Sequence, residues 1–501
     1  MGTATAPAAS AAGGTSYGTP GYRLYVLLVL TLVYTLNFID RNLLAVIAPA
    51  VIPAFHLSDA DYGFLNGPPF AIFYAVLGIP IAMAADRYNR IIIIAICISL
   101  WSIMAALCGF ATSFLFLLIA RIGVAVGEAG GTPPSNSIIG DYFKPKSRAN
   151  ALAIFAMGVT IGGALSNYFG GPIVKNLNGA AIQKMLESWH WDWAVGLADW
   201  QHIDSWRVAF VLTGAPGLLV ALLLLLTVKE PPRGYSDPPG TVKQERASIL
   251  ETLKEVAPKP TFWTMAMGAS LTALVGYGLT GFQAPMAARL HNIDAGTFAL
   301  DFGGPLAICS ALGTFFGGFV VDRATPRLFQ IVSIVPAVGI LLAIPLYIYA
   351  YYLPTDQVYS LGRPLWCLGA FCHYSYLGSQ YTIGQGVVSQ RGRASSVAIL
   401  LLLIALIGNG LGPLITGALS DMFMGTELKA HATNPALTVD LCRNAAEVAK
   451  LAAPDQAVCK AAYGEGLRQS MTATALIFIP AAVFFLLSAL TLRKDMVAKP
   501  V

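Results

Sequence analysis

Long apolar stretches, each closed by a short polar or Pro/Gly-rich turn, recur along the whole chain. A run of about 20 apolar residues crosses a bilayer as a helix rising 1.5 Å per residue. Such runs fall near residues 24–50, 60–84, 90–111, 113–140, 149–171 and 207–228, then 262–287, 298–321, 328–352, 363–387, 394–422 and 469–492. The pattern predicts an all-α membrane protein of twelve transmembrane helices in two six-helix bundles. The expected organisation is a disordered tail at 1–20, a bundle at 21–228, a linker at 229–260, a bundle at 261–493 and a tail at 494–501. The first twenty residues hold no Lys or Arg and show no signal-peptide pattern, so the first span reads as an uncleaved anchor.

Composition agrees with this class. Hydrophobic residues make up 56% of the 501, and charged ones only 11%, against about 25% in soluble domains. A net charge of +5 is too small and too dispersed for nucleic acid, and its distribution is more telling. Arg87, Arg90, Lys144, Lys146, Arg148, Lys229, Arg233, Lys243, Arg246, Lys254, Lys259, Arg323, Arg327, Arg391, Arg393, Arg493, Lys494 and Lys499 all fall on one side of the predicted spans. By the positive-inside rule both termini are cytoplasmic, in a multi-pass protein of the inner (plasma) membrane.

Four ionised residues sit within spans one and four: Asp40, Arg41, Arg121 and Glu128. Charges at bilayer depth cost roughly 2.5–3.5 kcal/mol each on insertion scales, and persist where they pair, face a cavity or handle protons. Counted from the outer helix ends, Asp40 lies about 15 Å deep, Arg121 about 12 Å and Glu128 about 22 Å. The matching depths of Asp40 and Arg121 predict an Asp40–Arg121 pair with Arg41 and Glu128 nearby. Protonation of Asp40 or Glu128 would then free an arginine, and Arg41 and Arg121 would receive an anion. A permanent cluster that only fastens spans one and four together is the other reading.

The second half has no matching charges. Its candidate lining is Tyr277 and Gln283 of span seven, His373, Tyr374, Tyr376 and Gln380 of span ten, and Asn409 of span eleven. One charged wall facing one aromatic wall suits an amphiphile with an ionic head. His373 either titrates near neutrality or packs as a hydrogen-bonded core residue.

The chain also repeats itself. Gly78-Ile-Pro-Ile-Ala82-Met-Ala-Ala-Asp86-Arg87-Tyr-Asn89-Arg90 closes span two, and Gly318-Phe-Val-Val-Asp322-Arg323 closes span eight. Paired loops at these positions resemble the major facilitator superfamily, although Ala82 and Asn89 stand where glycine is usual. The resemblance implies its twelve-helix fold and alternating access. Asp86, Arg87, Arg90, Arg148, Asp322 and Arg323 are then candidate gating residues. Asp86 is expected to hold the positive start of span eleven, near Ser395 and Ser396, when the inside is shut. The same charges fixing only loop geometry is the alternative.

Within that superfamily, Asn37-Phe-Ile-Asp40-Arg41-Asn42-Leu-Leu-Ala-Val resembles Spinster-like transporters. So do Asp86 to Arg90, Arg121 to Gly130, Gly140-Asp141-Tyr-Phe143 with Arg148, Glu230-Pro-Pro-Arg233-Gly234, and Gly410 to Asp421. This resemblance implies a sphingosine-phosphate or lysophospholipid type of substrate, with proton dependence carried at Asp40 and Glu128. The same charged residues also resemble proton-coupled organic-anion symporters for sugar acids or carboxylates.

Two long outer loops are expected, at 172–206, rich in Trp, and at 424–468, holding Cys442 and Cys459 as a candidate disulfide. The other five cysteines read as small core residues. The six histidines are scattered, so no metal site, cofactor or enzymatic cluster is expected. The expected partners are a lipid-like substrate, protons and membrane lipids, with the protein a monomer. A non-transporting lipid-binding receptor on the same fold is the remaining alternative.

Overall fold

The computed structural model of the chain describes residues 17–196, 199–236, 248–325 and 328–497, which are helical with no strand. Most of the expected disordered tail, together with Lys243, Arg246, Arg327 and Lys499, lies outside the described residues. Span one begins at Pro20, and Tyr17 before it packs edge-on against Tyr142 and Tyr235.

Eleven segments are long and apolar enough to cross a membrane. In the first half they are Pro20–Ala54, Asp59–Arg87, Arg90–Cys108, Phe114–Tyr142, Pro145–Asn176 and Ser205–Thr227 (spans one to six). In the second half they are Pro260–His291, Ala295–Ala324 and Ile331–Tyr351 (spans seven to nine), then Arg393–His431 and Ala453–Asp495 (spans eleven and twelve). Span ten is split into Arg363–Tyr374 and Leu377–Gly386. It is missing from the eleven because His373, Ser375, Ser379, Gln380 and Gln385 lower its apolarity.

Local chemistry explains where helices start. Thr19, Asn89 and Ser113 accept the backbone N–H of Tyr22, Ile92 and Phe116, capping spans one, three and four. Asn89, the departure from glycine in the loop, is thus the cap of span three. Proline opens spans one, five and seven, where its missing N–H costs nothing.

The halves repeat in packing as well as in sequence. In the first, span one packs on five, three on four and six, and two on four. In the second, seven packs on eleven, nine on ten and twelve, and eight on ten. Gly162 of span five is close against span one, where a Cβ would come within 2.6 Å of Phe38 Cβ. The halves meet along spans two and eleven, five and eight, and one and seven.

The expected loop at 424–468 is mostly helix. Span eleven continues to His431 and span twelve starts at Ala453. Met424, Leu428, Leu437, Cys442, Cys459 and Ala462 form a small core there. Cys442 and Cys459, 17 residues apart, are disulfide-bonded. This hairpin defines a loop face, opposite the terminal face on which both ends of the described chain lie.

The linker is held at both ends. Arg90 donates to Glu230, Asp141, Ser137 and the Pro231 carbonyl, while Arg233 donates to the carbonyls of Ala85 and Tyr88. A short helix, Ile249–Val256, packs against the start of span eleven, and its Glu255 accepts from Ser389 N and Oγ at 2.6 and 3.1 Å.

Candidate functional site

Span one runs unbroken past Asp40 and Arg41, whereas span four breaks just after Glu128. Its helix ends at Ala129 and restarts at Thr132, ahead of Pro133 and Pro134. Gly130 is needed at the break, since a Cβ there would overlap the Cys97 sulfur. Asp40, Arg121 and Glu128 are 3%, 2% and 1% exposed.

The pairing differs from the expected one. Arg41 donates from Nε and Nη2 to Glu128 Oε2, at 3.1 and 2.7 Å, and among the described residues neither Asp40 nor Arg121 forms an ion pair. Adjacent residues on a helix point about 100° apart. Arg41 therefore takes the face toward span four, and Asp40 turns toward Thr213 of span six. Asp40 Oδ1, Arg121 Nε and Glu128 Oε1 are buried without a hydrogen-bond partner. Charges buried at this depth are costly, and their grouping singles this place out as the candidate site.

Aromatic rings close around the cations. Arg41 Cζ lies 4.9, 4.9 and 5.0 Å from the ring centroids of Phe38, Phe70 and Tyr74, and Arg121 Cζ lies 5.5 Å from Phe70. Tyr34 stacks on Phe155 at 4.6 Å.

Across from them stands span seven. Its residues are mostly buried, yet Tyr277 and Thr280, midway along it, are exposed. Two exposed residues midway along a mostly buried helix are candidates to line an internal space. Tyr374 neighbours Tyr277 and Thr280, and the half-open Tyr381 neighbours both Tyr277 and Tyr34. Tyr277 lies within electrostatic reach of Arg41, which makes these rings the candidate wall facing it. His373 lies behind span seven instead, buried with ring contacts to Phe478 at 4.8 Å and Tyr347 at 6.4 Å. Tyr376 stacks on it at 6.1 Å. Gln283 and Gln380 are buried. Asn409 is half-buried in a π-helical segment, Ile404–Leu411, beside Gly67 of span two.

The loop face is shut. Arg289 Nη1 and Nη2 donate to both carboxylate oxygens of Asp59, at 2.7 and 2.6 Å. Ser420 Oγ donates to Asp59, and Asp421 accepts the N–H groups of Asp59 and Ala60. Cβ atoms at Gly63 or Gly417 would overlap the backbone of Pro413 or Asp59, so spans two and eleven touch backbone to backbone. On the terminal face, Asp86, Arg87, Asp322 and Arg323 are exposed, without an ion pair among the described residues. Arg90 is instead buried within its own half against Asp141 and Glu230. Arg148 donates to the Phe143 carbonyl.

Several of these residues escape a reading of sequence. Phe38 carries a faint signal, three residues before Arg41, as do Phe70 and Tyr74, four residues apart on span two. Arg289 had a better one, being a cation at the loop-face end of a span and so against the charge rule.

Comparisons with known proteins agree with this architecture. The model of the Major Facilitator Superfamily matches residues 30–413. A bacterial homolog to the human lysosomal transporter Spinster, solved in an inward-facing and unoccupied conformation, is 48% identical with a TM-score of 0.89, covering 96% of this chain and 100% of its own. An MFS-type efflux pump of Mycolicibacterium smegmatis is 29% identical over 410 residues, 82% of this chain and 87% of the pump. A hexuronate transporter of Bacillus subtilis is 30% identical over 230 residues, 46% of each chain.

Proposed function

The chain belongs to the major facilitator superfamily as a Spinster-type transporter, and we propose that it moves an anionic amphiphile by alternating access coupled to protons. The observation that carries this is the Arg41–Glu128 pair beside the buried Asp40 and Arg121. A proton taken by Glu128 would leave Arg41 without its carboxylate, and the space between Arg41 and Tyr277 would turn positive. An anionic head suits that field, and the rings of Tyr277, Tyr374 and Tyr381 suit an apolar body. The substrate class is a phosphorylated sphingoid base or a lysophospholipid. His373, Tyr376, Gln283, Gln380 and Asn409 would shape the wall from behind.

The distribution of Lys and Arg supports a cytoplasmic terminal face in the plasma membrane. With the loop face shut, the form described here would be open to the cytoplasm. Asp86 would then return to the start of span eleven when the inside closes, with Arg87, Asp322 and Arg323 beside it. The protein would work as a monomer.

Uptake into proteoliposomes tests the reading. Lysophosphatidate uptake driven by an inward proton gradient should be lost in Glu128→Gln and Asp40→Asn, while unlabelled-to-labelled counterflow persists. Gradient-driven uptake at parental rates in the double variant overturns the coupling. A second reading, favoured by the match to a hexuronate transporter, is a sugar-acid symporter; uptake of glucuronate with no lysophosphatidate uptake would select it.

A further inference from the structure

The two buried arginines share one ring. Phe70 lies 4.9 Å from Arg41 Cζ and 5.5 Å from Arg121 Cζ, and Tyr74, one turn on, stacks on Phe70 at 6.1 Å with planes 14° apart. Phe70 is itself buried, in the first turn after the break at Gly67. The groups facing Arg41 are Glu128 and Arg121 from span four, Tyr74 from span two, Tyr277 from span seven, and Tyr34 with Phe38 from its own helix. Among the described residues Glu128 is the only acid hydrogen-bonded to it, and both bonds go to one oxygen.

An ion pair and a ring contact respond differently to a proton. Protonation of Glu128 removes the charge that Arg41 is paired with, but leaves the quadrupoles of Phe38, Phe70 and Tyr74 unchanged. Two guanidinium groups also repel each other, and one ring within 5.5 Å of both offers each the attraction of its quadrupole. We infer that Phe70, supported by Tyr74, is a positioning residue that holds Arg41 and Arg121 in place once Glu128 is neutral. The freed edge of Arg41 then meets the anionic head of the substrate. The inference rests on the proton–anion reading proposed above, and adds the residues that keep the cations in place while the pair is broken.

The test measures binding of lysophosphatidate, and of the uncharged monoacylglycerol with the same chain, to the protein in lipid nanodiscs across a range of pH. In Phe70→Leu and Phe70→Met, lysophosphatidate affinity should fall about ten-fold, since a guanidinium loses its ring contact. Monoacylglycerol affinity should not change with it. Phe70→Tyr should restore lysophosphatidate affinity. The pH below which the anion binds tightly should also move down, because without the ring Arg41 leans harder on Glu128 and opposes its protonation. Equal losses for both lipids, or no loss for either, overturn the positioning role. Arg41→Ala separates the two levels. If it leaves lysophosphatidate binding unchanged, the anion reading itself fails; if it weakens binding while Phe70→Leu and Phe70→Met do not, the ring alone is dismissed.

Discussion

Asp59→Asn should open the loop face. In the form described here the carboxylate takes two charge-assisted bonds from Arg289, at 2.7 and 2.6 Å, and a third from Ser420 at 2.6 Å. The side chains of Arg289 and Asp59 are 9% and 1% exposed, so solvent screens the pair little. Removing one partner of a buried pair costs about 3–5 kcal/mol, mainly because the other charge is left uncompensated. Arg289 keeps its contact with the Tyr463 ring at 3.6 Å, which softens the loss. Asparagine keeps the volume and one acceptor, so packing stays while the charge goes. If spans two and seven part at this end when the loop face opens, the cost falls on the shut state alone. At the low end, a 3 kcal/mol differential moves the ratio of shut to open states roughly 150-fold. Spin labels at His56→Cys and His431→Cys, in a background without the five free cysteines, read the loop-face separation of the two halves. The variant should show a new population at longer distance. Distance distributions that match the parent, in protein that still transports, would refute the lock.

Two further outcomes follow from the same contacts. Gly63→Ala places a Cβ onto the Pro413 carbonyl, so the loop face should fail to shut; reagent access to a cysteine at Tyr62 from that side should rise, with little change in thermal stability. Arg90→Ala strips Asp141 and Glu230 of a buried partner that makes hydrogen bonds to four residues, so it should destabilise the first bundle by about 3–5 kcal/mol, visible as a large drop in melting temperature.

The spans were legible because a bilayer imposes a length and a polarity that any stretch of sequence either meets or does not. The deep charges were legible for the same reason: Asp40 and Glu128 are conspicuous in their apolar surroundings. Their partners were not. Depth follows from counting residues, but facing depends on helix rotation, and one residue changes it by about 100°, enough to exchange Asp40 for Arg41 opposite span four. The hairpin at 424–468 was hidden by its polar composition, although Met424 with Leu428, and Cys459 with Ala462, already had helical spacing. Rings such as Phe70 are common in membrane helices, and only their position beside two guanidinium groups sets them apart.

Span eleven connects the site to both faces. Its loop-face half is bound to span two through Pro413, Gly417 and Asp421. Its start is preceded by Ser389, which the linker's Glu255 grips. Between these anchors lies Ile404–Leu411, whose π hydrogen bonding loosens the helix at the level where Asn409 meets Gly67 and Gly408 presses on Ala273. A helix held at both ends and weakened at one place concentrates its bending there. Opening and closing the two faces is therefore expected to turn about this segment, one turn from the backbone contacts that shut the loop face. Glu255 occupies the approach to the same helix start that Asp86 would hold with the inside shut. Closure then requires the linker helix and the end of span two to share, or exchange, one positive helix end.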